Sequence, residues 1–244
     1  LIGDPGCKYG KIFLNAQVWA IMSGIATGKR AESAWRAVVK HLSVDSGPVL
    51  FAPAYGEPDE RIGYLTRYAP GVRENGGRYT HAATWAMIAA AIMGDSSEAW
   101  RMYSRICPVR CGSSPDVYKA EPYVTPGNVA GPDSDRYCEG GWTWYTGSAT
   151  WLFRVGSEWL LGVRPDWDGL RVDPCIPAHW DRFCMKRDFR GATYEIRVHN
   201  PDHVSSGVAR MTLDGSKVDG NLLPTLGDGE VHHVEITLGR PDRE

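Results

Sequence analysis

Apolar residues recur at helical spacing through the first two-thirds of the chain. In the first such segment Val18, Ile21, Met22 and Ile25 follow one another at intervals that place them on one helix face. Gly28 follows a threonine there and predicts the helix end, since glycine commonly terminates helices. The same spacing predicts five helices, at residues 12–26, 31–42, 82–93, 95–106 and about 148–161. The N-cap of the fourth helix is residue 95 or 96.

Two long segments rich in Gly, Pro and Tyr separate these helices, at residues 47–71 and 107–144. Long ordered connections within compact domains are usually functional. Two helices followed by a long loop occur twice in succession, and a last helix follows. This order favours antiparallel helical hairpins arranged in a ring, with the long loops at one rim. A plain helical bundle would have shorter connections.

The pattern changes to alternating apolar and polar residues after Gly162. Turn signals at Asp214-Gly215 and Asp228-Gly229 separate several short segments of this kind. We therefore expect a mainly α plus β protein, with a helical domain at residues 1–164 and a small antiparallel β-sandwich at 165–244. Packing against the helical domain is the favoured role of the sandwich, and a separate sugar-binding module is the alternative. The predicted strands are residues 170–174, 183–186, 192–198, 208–213 and 231–238.

Composition excludes several classes of partner. The chain has 244 residues, is 43% hydrophobic and carries a net charge of −2, so no electrostatic reason points to nucleic acid or an anionic membrane. No apolar run approaches a membrane span. The six cysteines are scattered without zinc-site spacing, which predicts no metal site and free, mostly buried thiols in a cytoplasmic protein. Because the chain starts at Leu1 within a Gly-Asp-Pro-Gly turn, we expect a fragment that lacks its N-terminal part.

One stretch combines a potential anion-binding position with aromatic side chains. It is C-E-G-G-W-T-W-Y-T-G-S-A-T-W at residues 138–151. Thr146 and Gly147 lie where the last helix is predicted to begin, and the free N–H groups of a helix N-terminus bind anions. Trp142 and Trp144 supply flat faces that pack on sugar rings. The stretch therefore suggests a site for a sugar and a phosphate. The structural alternative is a helix cap with core aromatics.

A second candidate group lies in the Gly-rich turn that precedes the helix at 82–93. Arg73, Arg78 and His81 could hold an anion near that helix N-terminus, and Glu74 could accept hydrogen bonds from sugar hydroxyls. The alternative for His81 is a capping or core histidine.

The remaining candidate side chains are carboxylates in the long loops, together with one lysine. Lys119 and Glu121 lie two residues apart among aromatics, and a surface ion pair is their alternative role. A glycoside hydrolase normally needs two carboxylates. Glu74, Glu121 and Glu139 are available, but none stands out as an acid in an apolar pocket. If phosphate is the nucleophile, a single general acid suffices.

Four motifs in order resemble glycoside hydrolase family 94, the inverting β-glucoside phosphorylases. They are R-E-N-G-G-R-Y-T-H-A-A-T-W at 73–85, Y-K-A-E-P-Y-V at 118–124, G-G-W-T-W-Y-T-G-S-A at 140–149 and L-R-V-D-P-C-I-P at 170–177. The resemblance implies the C-terminal part of an (α/α)6 barrel followed by a β-sandwich. It implies that phosphate attacks a β-linked disaccharide or glucan and releases α-glucose 1-phosphate. Inorganic phosphate is then a co-substrate, no cofactor is needed, and a homodimer is expected.

The resemblance also assigns residues. The family's phosphate-binding His and Thr-Gly match His81 and Thr146-Gly147, and its acceptor-sugar Glu matches Glu74. The family's general-acid Asp lies in a D-W-N-D-like motif, which this chain lacks, so we expect no catalytic residue here and the acid upstream of Leu1. Five further residues are expected to shape or wall the sugar site: Arg73, Lys119, Glu121, Trp142 and Trp144.

These motifs do not decide which glycosidic linkage is cleaved or which role the chain has. R-Y-T-H-A-A resembles the β-1,2-glucan branch, whereas N-A-Q-V-W-A at 15–20 resembles the disaccharide phosphorylases. Many cellobiose and chitobiose phosphorylases carry Gln where this chain has Gly127. The alternatives to a phosphorylase are a hydrolase on the same barrel and a non-catalytic or chain-length-controlling glucan-binding domain of a cyclic β-1,2-glucan synthase.

Overall fold

The computed structural model describes residues 2–144 and 146–240. The chain divides into two compact units, one formed by Leu1–Met93 with Glu98–Val155 and the other by Gly94–Ser97 with Gly156–Glu244. The first unit is mainly helical and the second is mainly strand. No helix within the described residues combines the length and the apolar character that crossing a bilayer requires.

The predicted helices lie close to where the apolar spacing places them, except for the first, and two short helices at residues 108–111 and 115–118 lie in the segment predicted as a long loop. The first predicted helix is shorter at both ends, because Ile12 and Phe13 pair as a strand with residues 51 and 52, and Gly24 ends the helix with a φ of 73°. The helices are α1 (Leu14–Met22), α2 (Gly28–His41), α3 (Thr80–Ile92), α4 (Ser96–Ile106), α5 (Pro108–Cys111), α6 (Pro115–Tyr118) and α7 (Thr146–Arg154), which continues as a π-helix at Val155–Leu160.

Helix α3 lies at the centre of the helical unit. Its apolar residues extend around most of the helix, and nine of its thirteen positions are buried, including Ala83, Ala86, Met87 and Ala90. Both α1 and α7 pack against it. Small alanines let these neighbours approach closely, and this packing holds the beginnings of α3 and α7 near each other.

The two long loops are ordered by short strands and turns. A 3₁₀-helix occupies Tyr64–Arg67 within the first of them. Three small antiparallel sheets join these strands: β1 with β4, β2 with β3, and β5 with β6 and β7. The strands are β1 (Ile12–Phe13), β2 (Ser43–Val44), β3 (Gly47–Pro48), β4 (Phe51–Ala52), β5 (Arg78–Tyr79), β6 (Asn128–Val129) and β7 (Gly140–Gly141).

The second unit contains two sheets that share one hydrophobic core, to which Leu170, Ile196, Leu223 and Ile236 all belong. The five-stranded sheet has the order β10-β11-β15-β12-β13, and the three-stranded sheet has the order β14-β9-β8. The strands are β8 (Val163–Pro165), β9 (Leu170–Val172), β10 (Arg182–Phe189), β11 (Ala192–His199), β12 (Val208–Leu213), β13 (Ser216–Val218), β14 (Leu222–Leu223) and β15 (Val231–Leu238).

The larger sheet is not wholly antiparallel, which corrects the predicted sandwich. Strand β15 lies between β11 and β12 and pairs in parallel with β11, with Ile196 opposite Val234. Because β11 and β12 run in opposite directions, a strand inserted between them must be parallel to one of them. The predicted turn at Asp214-Gly215 is confirmed as the two-residue connection of β12 and β13, with φ of 49° and 82°.

The cysteines are free, but they are less buried than predicted. Only Cys175 is buried, Cys184 is exposed, and the other four are intermediate. Four of the six lie in or beside the irregular segments at the chain start and in the second long loop, where thiols pack less completely than in a core. No cluster of metal-ligating side chains occurs within the described residues.

Candidate functional site

A buried asparagine fixes the turn that carries the first candidate residues. Asn75 is fully buried, and its side chain accepts a hydrogen bond from the Tyr55 backbone N–H at 2.8 Å. Its amide nitrogen donates to the carbonyls of Tyr55 and Tyr68 at 2.9 and 2.8 Å. Gly76 follows with a φ of 78°, and a β-carbon there would lie 2.8 Å from that of Ala54. The turn is therefore held rigidly against the first long loop.

The three-stranded sheet β5-β6-β7 connects this turn to the aromatic stretch. Tyr79 pairs with Asn128, which pairs with Gly141 on its other side. Beyond the strands, the Gly127 backbone N–H donates to the Trp142 carbonyl at 2.7 Å. Two segments more than sixty residues apart in sequence thereby become neighbours.

Arg73, Glu74 and Trp142 form one contact group. The Arg73 guanidinium carbon lies 4.5 Å from the ring centroid of Trp142 and 4.8 Å from that of Tyr68. Its Nε lies 3.5 Å from Glu74 Oε2. Among the described residues, that carboxylate oxygen is buried and has no hydrogen-bond partner. It therefore remains available to accept a hydrogen bond from a ligand hydroxyl.

His81 is the second residue of α3 and lies in an aromatic enclosure. Its ring centroid is 4.9 Å from that of Trp85 and 5.9 Å from that of Trp151. Its Nε2 atom is buried and finds no hydrogen-bond partner in the described part of the chain. Burial lowers the pKa of the imidazole below its usual value, because the apolar surroundings disfavour the charged form.

Gly147 lies directly beside this imidazole. Helix α7 begins at Thr146, two residues before the predicted start, so Gly147 contributes one of the free N–H groups of the helix N-terminus. A β-carbon on Gly147 would lie 3.6 Å from His81 Nδ1. The side chain of Thr146 and the whole of Tyr145 lie outside the described residues. The Ser148 hydroxyl donates to the Thr125 carbonyl at 3.4 Å and is buried, so it anchors the helix start to the loop.

The other predicted residues form separate contacts. Glu121 accepts a hydrogen bond from Trp144 Nε1 at 3.1 Å, and Thr143 Oγ1 lies 3.5 Å from the same oxygen, which orients the exposed indole. Lys119 pairs with Glu139 at 3.1 Å and not with Glu121. The structure therefore gives contacts within three groups of candidate residues and places Lys119 in a surface ion pair.

Sequence reasoning did not assign Tyr68, Trp85 or Trp151 to the site. Trp85 follows His81 by four residues on one helix, a spacing at which side chains are neighbours, so this contact had a signal in the sequence. Tyr68 reaches Arg73 through the fold of the Gly-rich turn. Trp151 reaches His81 through the packing of α3 and α7. Neither of these two contacts follows from a sequence spacing.

Comparison with protein families matches nearly the whole chain in two consecutive parts. Residues 1–162 match the model described as glycosyl hydrolase 94 superfamily, catalytic domain. Residues 163–214 match glycosyl hydrolase family 65, C-terminal domain.

Several curated proteins are similar to this chain, among them two phosphorylases and a glucan synthase. The solabiose phosphorylase of Paenibacillus borealis is 38% identical over 97% of this chain, and the N,N'-diacetylchitobiose phosphorylase of Vibrio proteolyticus is 36% identical over 98%. The cyclic beta-(1,2)-glucan synthase NdvB of Rhizobium meliloti is 39% identical over 75%. The matched regions cover only 31%, 30% and 7% of those three proteins. The family match spans the helical unit that holds every candidate residue, and the chain belongs to the glycosyl hydrolase 94 superfamily, in which its curated relatives include disaccharide phosphorylases.

Proposed function

We propose that this chain is part of a phosphorylase that cleaves a β-linked gluco-oligosaccharide with inversion and releases α-glucose 1-phosphate and a shortened sugar. The observation that carries the proposal is His81 Nε2, buried and without a hydrogen-bond partner in the described part of the chain, in a ring beside Gly147 at the start of α7. A buried polar atom without a partner is costly unless a ligand satisfies it. A helix N-terminus beside it favours an anion.

The phosphate site would consist of His81, Thr146 and Gly147. Because burial lowers the pKa of His81, its neutral imidazole offers one N–H donor without adding a charge. The backbone N–H groups of Thr146 and Gly147 would add donors aimed at the phosphate oxygens. This arrangement supports holding a phosphate dianion with one oxygen directed at the sugar.

The reaction is a single displacement at the anomeric carbon. A phosphate oxygen forms a bond to this carbon on the α face while the bond to the glycosidic oxygen on the β face breaks. The departing oxygen takes a proton from a general acid that another part of the same (α/α)6 barrel would supply. No cofactor takes part, because phosphate itself is the nucleophile.

The acceptor side would be formed by Glu74 with Arg73 and Trp142. Glu74 Oε2 would accept a sugar hydroxyl, and the Arg73–Trp142 contact would fix the indole face against the sugar ring. Trp144, oriented by Glu121, would supply a second wall. Lys119 would lie at the edge of this site. The expected partners are a β-glucan or β-linked disaccharide, inorganic phosphate and a second copy of the protein.

The test uses the longer polypeptide that contains this chain. It is incubated with short β-1,2-, β-1,3- and β-1,4-gluco-oligosaccharides, with and without inorganic phosphate, and glucose 1-phosphate is assayed. Phosphate-dependent release supports the proposal, and the preferred oligosaccharide identifies the linkage. Glucose release that is indifferent to phosphate would instead identify a hydrolase.

A second candidate is a glucan-binding or chain-length-controlling domain of a cyclic β-1,2-glucan synthase. The similarity to NdvB, 39% identity over 188 residues, favours it. Binding of β-1,2-glucan with release of neither glucose nor glucose 1-phosphate would support this candidate over the phosphorylase.

A further inference from the structure

A fully buried arginine lies in the helical unit, and no carboxylate of the described residues pairs with it. Arg78, in β5, is only 1% exposed. Its Nη1 donates to the carbonyls of Ser46 and Arg105 at 2.5 and 3.1 Å. Its Nε and Nη2 atoms are buried and have no hydrogen-bond partner among the described residues. Transferring a guanidinium group from water into the protein interior costs free energy unless an opposite charge is nearby. A bound anion would therefore stabilise the buried Arg78 side chain.

Arg78 lines a pocket of about 270 Å³ whose wall is rich in hydrogen-bond donors. Arg105 and Arg110 add two more guanidinium groups to the lining. The one carboxylate in the lining belongs to Asp45, which is mostly exposed and lies 3.7 Å from Arg105. Positive charge therefore exceeds negative charge around the pocket.

A second orphaned polar atom belongs to the same wall. Ser46 Oγ is buried and has no hydrogen-bond partner in the described part of the chain. Three further serines line the pocket, Ser104, Ser113 and Ser114, and the Ser113 hydroxyl donates to the Arg110 carbonyl. Hydroxyl groups beside a guanidinium fork are the donors that proteins use for phosphate oxygens.

We propose that this pocket binds a phosphate group, with Arg78 as its central ligand and Arg105, Arg110 and Ser46 around it. The ligand is inorganic phosphate or the phosphate group of a small phosphomonoester, since both present the same oxygens to the arginine fork. None of the residues of the candidate phosphate and sugar site lines this pocket. It is therefore a second anion site, and it goes beyond the proposed function.

The site is linked to the first one through the backbone. Arg78 and Tyr79 form β5, and α3 with His81 follows directly. Glycine is required next to the arginine stem, because a β-carbon on Gly47 would lie 3.0 Å from Arg78 Cδ and 3.2 Å from Ile106 Cγ1. An anion bound to Arg78 would consequently stabilise the strand from which α3 begins.

The experiment uses equilibrium dialysis to measure how many molecules of radiolabelled inorganic phosphate bind to the full polypeptide. We expect two sites in the wild type, one in His81→Ala, one in Arg78→Met, and none in the double variant. Methionine keeps much of the side-chain volume while removing the charge. In the His81→Ala background, Arg110→Ala should weaken the remaining binding by about tenfold, as expected for a lost charge-assisted contact. Arg30→Ala, which removes a charge from the exposed face of α2, should not weaken it.

Phosphate binding in the His81→Ala background that is unchanged by Arg110→Ala, or by a folded Arg78→Met variant, would overturn the proposal. Arg110 is exposed, so its variant decides the question even if Arg78→Met does not fold. If His81→Ala by itself abolishes all phosphate binding, the protein has no phosphate site at Arg78. That result would overturn this proposal and remain consistent with a phosphate site at His81. Competition by glucose 6-phosphate at lower concentration than inorganic phosphate would identify a phosphomonoester as the ligand. The reverse order would identify free phosphate, and either order supports the site.

Discussion

Gly147 lies against the imidazole of His81: a β-carbon built on the glycine would be 3.6 Å from both Cε1 and Nδ1 of the ring. This is an ordinary van der Waals distance, so the protein itself can accommodate a methyl group there. The space that the methyl group would fill is the space beside the histidine in which a phosphate would be held.

Gly147→Ala should therefore affect stability and phosphate binding in opposite directions. Alanine is the better helix former by up to about 1 kcal/mol, so thermal stability should stay constant or increase. The KM for phosphate should rise by about tenfold, because the methyl group displaces the anion from the N–H groups of α7. Thermal unfolding and phosphate-dependent kinetics measure the two effects, and an unchanged KM for phosphate would contradict the site.

Variants of His81 and Glu74 should change the KM values of the two substrates in different ways. His81→Ala should raise the KM for phosphate by about ten- to a hundredfold, as expected for a lost bond to a charged group, with a smaller effect on the oligosaccharide. Glu74→Gln should have the opposite pattern, because its carboxylate oxygen, without a hydrogen bond among the described residues, is assigned to the acceptor sugar. Equal losses for both substrates in either variant would count against these roles.

The burial of His81 should make the helical unit less stable in acid. Its pKa is lowered in the folded state, so below the unfolded value of about 6.5 the unfolded chain binds the proton more readily. Stability from this residue is therefore present above about pH 6.5 and decreases as the pH falls. His81→Gln should lose less melting temperature than the wild type between pH 7.5 and 5.5, measured without phosphate. Parallel curves would show that the imidazole is not responsible.

Asn75 should be the main structural support of the Gly-rich turn. Its side chain makes three hydrogen bonds to backbone groups, each contributing about 1 kcal/mol. Asn75→Ala should lower the free energy of unfolding by about 3 kcal/mol, measured by denaturant titration. Asn15→Ala, at an exposed position of α1, is the matched control and should change it by less than about 0.5 kcal/mol. A small effect at Asn75 would mean that the turn does not depend on this side chain.

The strand unit should respond to pH in the opposite sense through His232. Its Nδ1 lies 2.7 Å from Asp214 and its Nε2 lies 3.1 Å from Asp228, and these hydrogen bonds raise the pKa of the imidazole. The stability that it contributes is complete below about pH 6.5 and is lost as the pH rises through the higher folded value.

Replacing His232 should remove that pH dependence. His232→Asn should flatten the decline in melting temperature of the strand unit between pH 6.5 and 8.5. His179→Asn, at an exposed position outside this cluster, should leave the decline unchanged. A decline that persists in His232→Asn would assign it to other groups.

Local patterns predicted most of the elements because those patterns carry their own physical cause. The apolar spacing of α2, α3 and α4 and the alternation in β11, β12 and β15 agree with the structure within a few residues. The start of α7 at Thr146 likewise follows from glycine and hydroxyl residues before an apolar helical run. The early end of α1 was missed because Gly24 adopts a left-handed conformation that Gly28 was expected to supply.

Long-range features of the fold had no comparable local signal. The parallel pairing of β11 with β15 depends on which strand occupies the gap between β11 and β12. Arg78 reads in sequence as one more cation of the Gly-rich turn, yet its side chain is enclosed away from solvent. Burial of a charge depends on all the residues packed around it, and the carbonyls of residues 46 and 105, distant in sequence, accept hydrogen bonds from Arg78.

The sequence by itself therefore determined the longer helices, most strands of the second unit, the family and the residues with suitable chemistry for phosphate and sugar. The tertiary structure alone decided which of those residues meet, since β5-β6-β7 and the packing of α3 with α7 join segments distant in sequence. It also decided which buried polar atoms of the described residues lack a hydrogen bond, among them atoms of His81, Glu74 and Arg78. The physical reason is that periodicity reports only the face an element buries, whereas desolvation and hydrogen bonding depend on the partner that covers it.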